Sequence, residues 1–158
     1  NQTQDIHLKG EKFLTFEVSP FLKVELDEMA MVSDGVITAR VKVNRGVSKE
    51  DFKSLVSKSG NYDDSYLNMT DIQLFVSQSS SCGYRARDER WSNEIKYTGK
   101  EFETMFGKTI TITSNPKNPI PSGRKVFIRA AARINYDTPA GSGTKRWNYS
   151  ETIEVDIP

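Results

Sequence analysis

With 158 residues, 27% of them charged and 36% hydrophobic, the chain is long enough to bury one core and too short for two comfortable ones; its 8 Phe, 6 Tyr and 2 Trp exclude a disordered or fibrous polymer. Twenty-two basic residues against 21 acidic ones leave a net charge of +1, so no global field calls for nucleic acid or an anionic membrane surface. A lone cysteine, Cys82, excludes an internal disulfide and a multi-thiol metal site.

The chain opens on Asn1-Gln2-Thr3-Gln4 rather than on a basic and apolar leader, so the sequence is expected to start inside a precursor. No apolar stretch approaches the roughly 20 residues of a membrane-spanning helix. Lys12 to Val18 alternates, with Leu14, Phe16 and Val18 against Thr15 and Glu17, until Ser19-Pro20 interrupts it. That proline sets the expected boundary. Residues 1–18 read as the tail of a preceding domain or a linker strand, and 19–158 as the domain itself.

Strict alternation then marks strands that bury one face, because successive side chains point to opposite sides of a sheet. The inward series are Leu22, Val24, Leu26, then Ile37, Ala39, Val41, Val43. Ser48-Lys49-Glu50-Asp51 reads as an N-cap with an acidic first turn, followed by Phe52, Leu55 and Val56 at helical spacing, which predicts a short helix over 48–58. A polar loop over 59–65 follows. Ile72, Leu74 and Val76 mark the next strand, Glu94 to Thr98 a weaker one, Lys100 to Phe106 a helical turn, and Ile110 and Ile112 another strand. The clearest strand runs from Val126 to Asn135, with Val126, Ile128, Ala130, Ala132 and Ile134 inward and Phe127, Arg129, Ala131, Arg133 and Asn135 outward. Pro/Gly clusters at 115–123 and 138–143 punctuate the last strands, and Ile153, Val155 and Ile157 close the chain. Short strands between turn signals, with almost no helical patterning, predict an all-β, seven-stranded immunoglobulin/fibronectin type III-like sandwich with a short helical insertion.

Catalysis finds little material. The only histidine, His7, lies in the N-terminal tail, so neither a His-based triad nor a multi-His metal site is expected. Asp63-Asp64 and Asp88-Glu89 are adjacent acids, which diverge on a strand and are solvated in a loop, so no catalytic pair is assigned. Asp63, Asp64 and Asp71 lack the spacing of a calcium loop; no metal and no cofactor is expected. Arg129 and Arg133 share an outward face with Glu154 and Asp156 on the following strand, which predicts cross-strand ion pairs. Loop aromatics are the better lead. Tyr84 and Trp91 interleave with Arg85 and Arg87, while Tyr136, Trp147 and Tyr149 flank the Gly-rich loop before the last strand. Flat rings can cover the C–H face of a sugar while arginines bind its hydroxyls, so these seven residues form the candidate glycan site. Rings beside strands also serve as core lids. Trp91 reads as packed and Trp147 as open to either role, with Trp147 and Tyr136 expected together at one end of the sandwich.

Lys125 to Arg133, followed by Asn148-Tyr149-Ser150-Glu151 and Ile153-Glu154-Val155, resembles the last two strands of fibronectin type III domains. With Phe16-Glu17-Val18-Ser19-Pro20-Phe21-Leu22-Lys23-Val24 and Leu74-Phe75-Val76-Ser77, nearly the whole chain resembles the C-terminal domain of an uncharacterised Bacteroidetes family of surface lipoproteins. That family is associated with SusC/SusD-type glycan-uptake systems. The resemblance implies an exported protein at the outer membrane or cell surface, held by an N-terminal lipid anchor outside this sequence. It implies a non-catalytic accessory domain that assists polysaccharide capture or presentation, with the polysaccharide and the uptake complex as partners. The alternative is a structural spacer or protein-docking module with no glycan ligand. Val47 to Asn68 departs from the family in being longer than the expected connection.

Overall fold

The alternating segments pair into two antiparallel sheets. The structure, a computed structural model, describes residues 20–58, 60–138 and 145–158. The alternation at 12–18 and most of the loop at 138–143 lie outside the described residues. Eight strands, one more than expected, form among the described residues: β1 (Leu22–Leu26), β2 (Met31–Ser33), β3 (Val36–Arg45), β4 (Met69–Ser77), β5 (Asn93–Lys96), β6 (Thr109–Thr113), β7 (Lys125–Ile134) and β8 (Asn148–Asp156).

The additional strand is β2. Its hairpin to β3 closes on Asp34-Gly35, with φ of 50° and 74°, the two left-handed residues a type I′ turn demands. Only glycine fits the second position, since a Cβ on Gly35 would lie 2.4 Å from the Ile120 carbonyl oxygen. Three residues are too few for alternation to register, but the Asp-Gly dipeptide carried the signal. β6 takes one edge of β3; β1 and β2 share the other, pairing with Val41–Arg45 and Val36–Thr38 respectively. The second sheet runs β5-β4-β7-β8. Because β5 joins β4 rather than β6, the partition departs from the immunoglobulin constant type, whose fourth strand sits in the opposite sheet.

The inner faces carry the expected residues. Ile37, Ala39, Val41 and Val43 of β3 and Ile110 and Ile112 of β6 form one buried cluster with Ile72, Leu74 and Val76 of β4 and Val126, Ile128, Ala130 and Ala132 of β7. Burial of these aliphatic chains is the main stabilising contribution, at about 25 cal/mol per Å² of apolar surface.

Between β3 and β4 the predicted helix forms as α1 (Lys49–Ser57), with Ser48 Oγ accepting from the Asp51 N–H at 3.1 Å. Phe52 and Val56 face the core, whereas Leu55 is exposed. The following segment, expected as loop, tightens into a 3₁₀ turn over Asp64–Leu67 because Asp63 caps the Ser65 N–H at 2.7 Å. A second 3₁₀ turn, Glu101–Met105, falls where the helical turn was expected. Together α1 and the first turn close one end of the sandwich with an edge-to-face aromatic cluster of Phe21, Phe52, Tyr62, Tyr66 and Tyr136.

Candidate functional site

The outer face of the β5-β4-β7-β8 sheet is not left to solvent. Phe75 of β4 and Ala131 of β7 point outward by alternation, yet both are fully buried with Cys82 in a second apolar cluster, against which Phe127 and Trp147 pack. Two segments cover this face. The 78–92 connection is tied down by the Asp88 N–H to the Val76 carbonyl (2.7 Å), by a two-point Arg90–Asp88 ion pair, and by Asn115 Nδ2 to the Arg90 carbonyl. The start of β8 brings in Trp147 and Tyr149. A bulge in β8, where Ser150 and Glu151 stand opposite Ala130, returns Tyr149 to register with Ala131 and buries Ser150, whose Oγ accepts from the Ala130 N–H at 3.0 Å.

The result is a cleft of about 660 Å³ whose wall holds Tyr84, Trp147 and Tyr149 among Arg85, Arg129 and Arg133. Tyr84 and Trp147 stack with centroids 5.7 Å apart, and Phe75 meets Trp147 edge-on at 5.4 Å. Guanidinium groups lie over the rings: Arg87 at 4.1 Å from Tyr84, Arg129 at 4.2 Å from Tyr149 and Arg133 at 4.0 Å from Trp147. Arg133 Nε donates to the buried Asp71 carboxylate at 2.8 Å, which also accepts from Thr70 Oγ1 and Gln73 Nε2. Arg129 Nε donates to the Ser150 carbonyl at 2.7 Å and its Nη1 to the Cys82 carbonyl at 3.4 Å. Arg87 donates to the Tyr84 carbonyl and pairs with Glu89. The Tyr149 hydroxyl accepts from the Tyr84 N–H at 3.2 Å, joining the two covering segments.

Of the seven candidate residues, the fold thus gathers Tyr84, Arg85, Arg87, Trp147 and Tyr149 around one cleft, and separates two. Trp91 is 3% exposed and belongs to the main core, with Arg90 and Arg124 lying over its ring. Tyr136 joins the aromatic cap beside α1 rather than Trp147, because the chain turns away at the end of β7 toward Phe52. The cross-strand ion pairs expected of Arg129 and Arg133 do not form. Lys125 takes both Glu154 and Asp156, since these face the start of β7, while Arg129 stands opposite Thr152 and Arg133 meets Asp71 on the other neighbouring strand. Arg129 and Arg133 are therefore the cleft residues that sequence reasoning missed, together with Asp71, the buried carboxylate behind Arg133.

The adjacent acids are engaged locally. Asp88 holds Arg90, whose hydrogen bond keeps the Asp88 carboxyl below its ordinary range; Glu89 holds Arg87, and Asp64 lies 3.5 Å from Lys49. Among the described residues no three His, Cys, Asp or Glu side chains gather as a metal site. No described helix is long and apolar enough to cross a membrane.

Cys82 sits beneath the cleft with Sγ 3.4 Å from the Phe75 carbonyl oxygen, and burial pushes its thiol up to about 11 against the nearby Arg129 charge. A group protonated more readily in the fold than in the unfolded chain contributes stability that is lost as pH rises through that window. Urea unfolding of the wild type should therefore fall off from about pH 9 to about pH 11 more steeply than that of Cys82→Ala, in which this part of the slope disappears. Parallel pH profiles would contradict the buried thiol.

No family model and no curated protein matches the chain. Solved structures do. A candidate carbohydrate-binding protein from Bacteroides uniformis superposes with a TM-score of 0.59 at 15% identity, over 90% of this chain and 60% of that one. A DUF3823 family protein from Bacteroides ovatus superposes at 0.54 and 15% identity, over 89% of this chain and 57% of that one, and these two likenesses are of fold. The chain spans about three fifths of the length of these proteins. Over 90% of its length it is 63% identical to a DUF3823 family protein from Bacteroides uniformis, of which it spans 58%, and superposes on it with a TM-score of 0.85.

Proposed function

We propose that this chain is a non-catalytic, glycan-binding domain of a DUF3823-type protein and that its ligand lies in the cleft on the outer face of the β5-β4-β7-β8 sheet. The observation that carries the reading is the gathering of Tyr84, Trp147 and Tyr149 with three arginines into one concave surface, on a rigid sheet rather than on free loops. The name of the carbohydrate-binding fold relative points the same way. Within that reading the domain serves a lipid-anchored protein of the outer membrane or cell surface, where it captures or presents polysaccharide to a SusC/SusD-type importer. Local engagement of the paired acids supports the non-catalytic role.

Trp147→Ala tests the cleft. The ring is half-buried against Phe75, so its loss should cost about 2 kcal/mol, less than a fully buried aromatic, and leave a folded chain by circular dichroism. Binding to the glycans that the wild type retains on an array should be lost. A blank array for the wild type, with only stability changed in the variant, would favour the spacer or docking role, because the rings and guanidinium groups of the cleft already satisfy one another.

A further inference from the structure

The charge and stacking pattern of the cleft narrows its ligand. Among the described residues five cations line it, Arg85, Arg129, Arg133, Lys145 and Arg146, and no carboxylate does, although the whole chain carries a net charge of only +1. Two of these cations are offset from behind, Arg133 by Asp71 and Lys145 by Asp137. Arg129 is held by two backbone carbonyls, and among the described residues neither it nor Arg85 pairs with a carboxylate. A guanidinium laid over a ring spends its flat face there and keeps its in-plane N–H groups for an acceptor, the geometry suited to a planar or tetrahedral oxyanion. The same stacking works against a neutral sugar. Rings already faced by Arg87, Arg129 and Arg133, or by each other, have little bare surface left to cover C–H groups.

We propose that the cleft selects an acidic saccharide, a glycan bearing carboxylate or sulfate groups, whose anionic group sits between Arg129 and Arg85 while its ring borders Trp147 and Tyr149. This rests on the glycan-binding reading and adds the class of ligand. An anion entering here meets preorganised donors, because Ser150 and Tyr149 fix Arg129 before binding, so little side-chain entropy is lost.

Isothermal titration of the 158-residue chain decides it, using a galacturonate oligosaccharide, a sulfated galactan (carrageenan) oligosaccharide that carries no carboxylate, a neutral oligosaccharide of the same length, and polyglutamate. At least one acidic saccharide should bind ten times more tightly than the neutral one and than polyglutamate, and which of the two does so assigns carboxylate or sulfate. Arg129→Gln and Arg85→Gln should each weaken that binding about tenfold, as loss of a charge-assisted hydrogen bond does. Arg85 is exposed, so its variant carries the test if Arg129→Gln loses the fold. A neutral saccharide bound as tightly as the acidic ones would overturn the selectivity and leave glycan binding standing. Polyglutamate bound equally would overturn it in favour of unspecific charge. No binding by any saccharide would remove both readings.

Discussion

Ala130→Asp should leave no cooperatively folded protein. Ala130 is fully buried at the middle of β7, opposite Leu74 of β4, and its side chain points into the main apolar cluster. No described cation belongs to that cluster, so the new carboxylate would be buried uncompensated or would have to be protonated, at a cost of several kcal/mol. Set against a total stability of about 5–15 kcal/mol, that removes most or all of the folded population. Thermal melts by circular dichroism should show no transition for this variant. Thr111→Asp, on the exposed face of β6, should stay within about 1 kcal/mol of the wild type. An unchanged melting curve for Ala130→Asp would mean that the inner face of β7 is misassigned.

Asp71→Ala should be nearly as damaging and should act on the cleft as well. The carboxylate is 3% exposed and accepts from Arg133 Nε, Gln73 Nε2 and Thr70 Oγ1, so its removal takes an acceptor from all three, of which Gln73 keeps Glu94 and Thr70 keeps the Arg133 carbonyl. Breaking a fully buried ion pair costs about 3–5 kcal/mol. Arg133 is partly solvated and can recover water, so about 2–4 kcal/mol is expected here. Without its carboxylate Arg133 also loses the anchor that holds it over Trp147, and the glycan binding proposed for the cleft should weaken in parallel. Urea unfolding of Asp71→Ala, Arg133→Ala and the double variant measures the pair directly: a coupling below about 0.5 kcal/mol would show that the two side chains do not act together.

The inner faces of the sandwich were legible because alternation is a local property: each of the longer strands declares its buried side within its own length, and Val126 to Ile134 did so most fully. The helix was legible from Ser48 and the acids after it. The outer face was not, because its burial depends on contacts distant in sequence. Phe75 and Ala131 are outward by alternation and become buried only when the 78–92 segment and the start of β8 fold over them. Arg133 finds Asp71 at 62 residues' separation, and no hairpin argument reaches that far. Trp91 and Tyr136 show the same limit. An aromatic flanking a strand has one appearance in sequence whether it drops into the core, as Trp91 does, or joins a cap at the end of the sandwich, as Tyr136 does.

The two apolar clusters lie on opposite sides of one sheet, with the backbone of β4 and β7 between them. The consequence is evolutionary. Tyr84 and Trp147 pack against Phe75 of the smaller cluster and Arg85 is exposed, so the side chains proposed to meet a ligand can differ between relatives while the larger core keeps the sandwich intact. A lineage built this way can vary the face of the proposed cleft at a smaller cost in stability than changes in the larger core would carry, because the residues that would change are not those whose loss unfolds the chain.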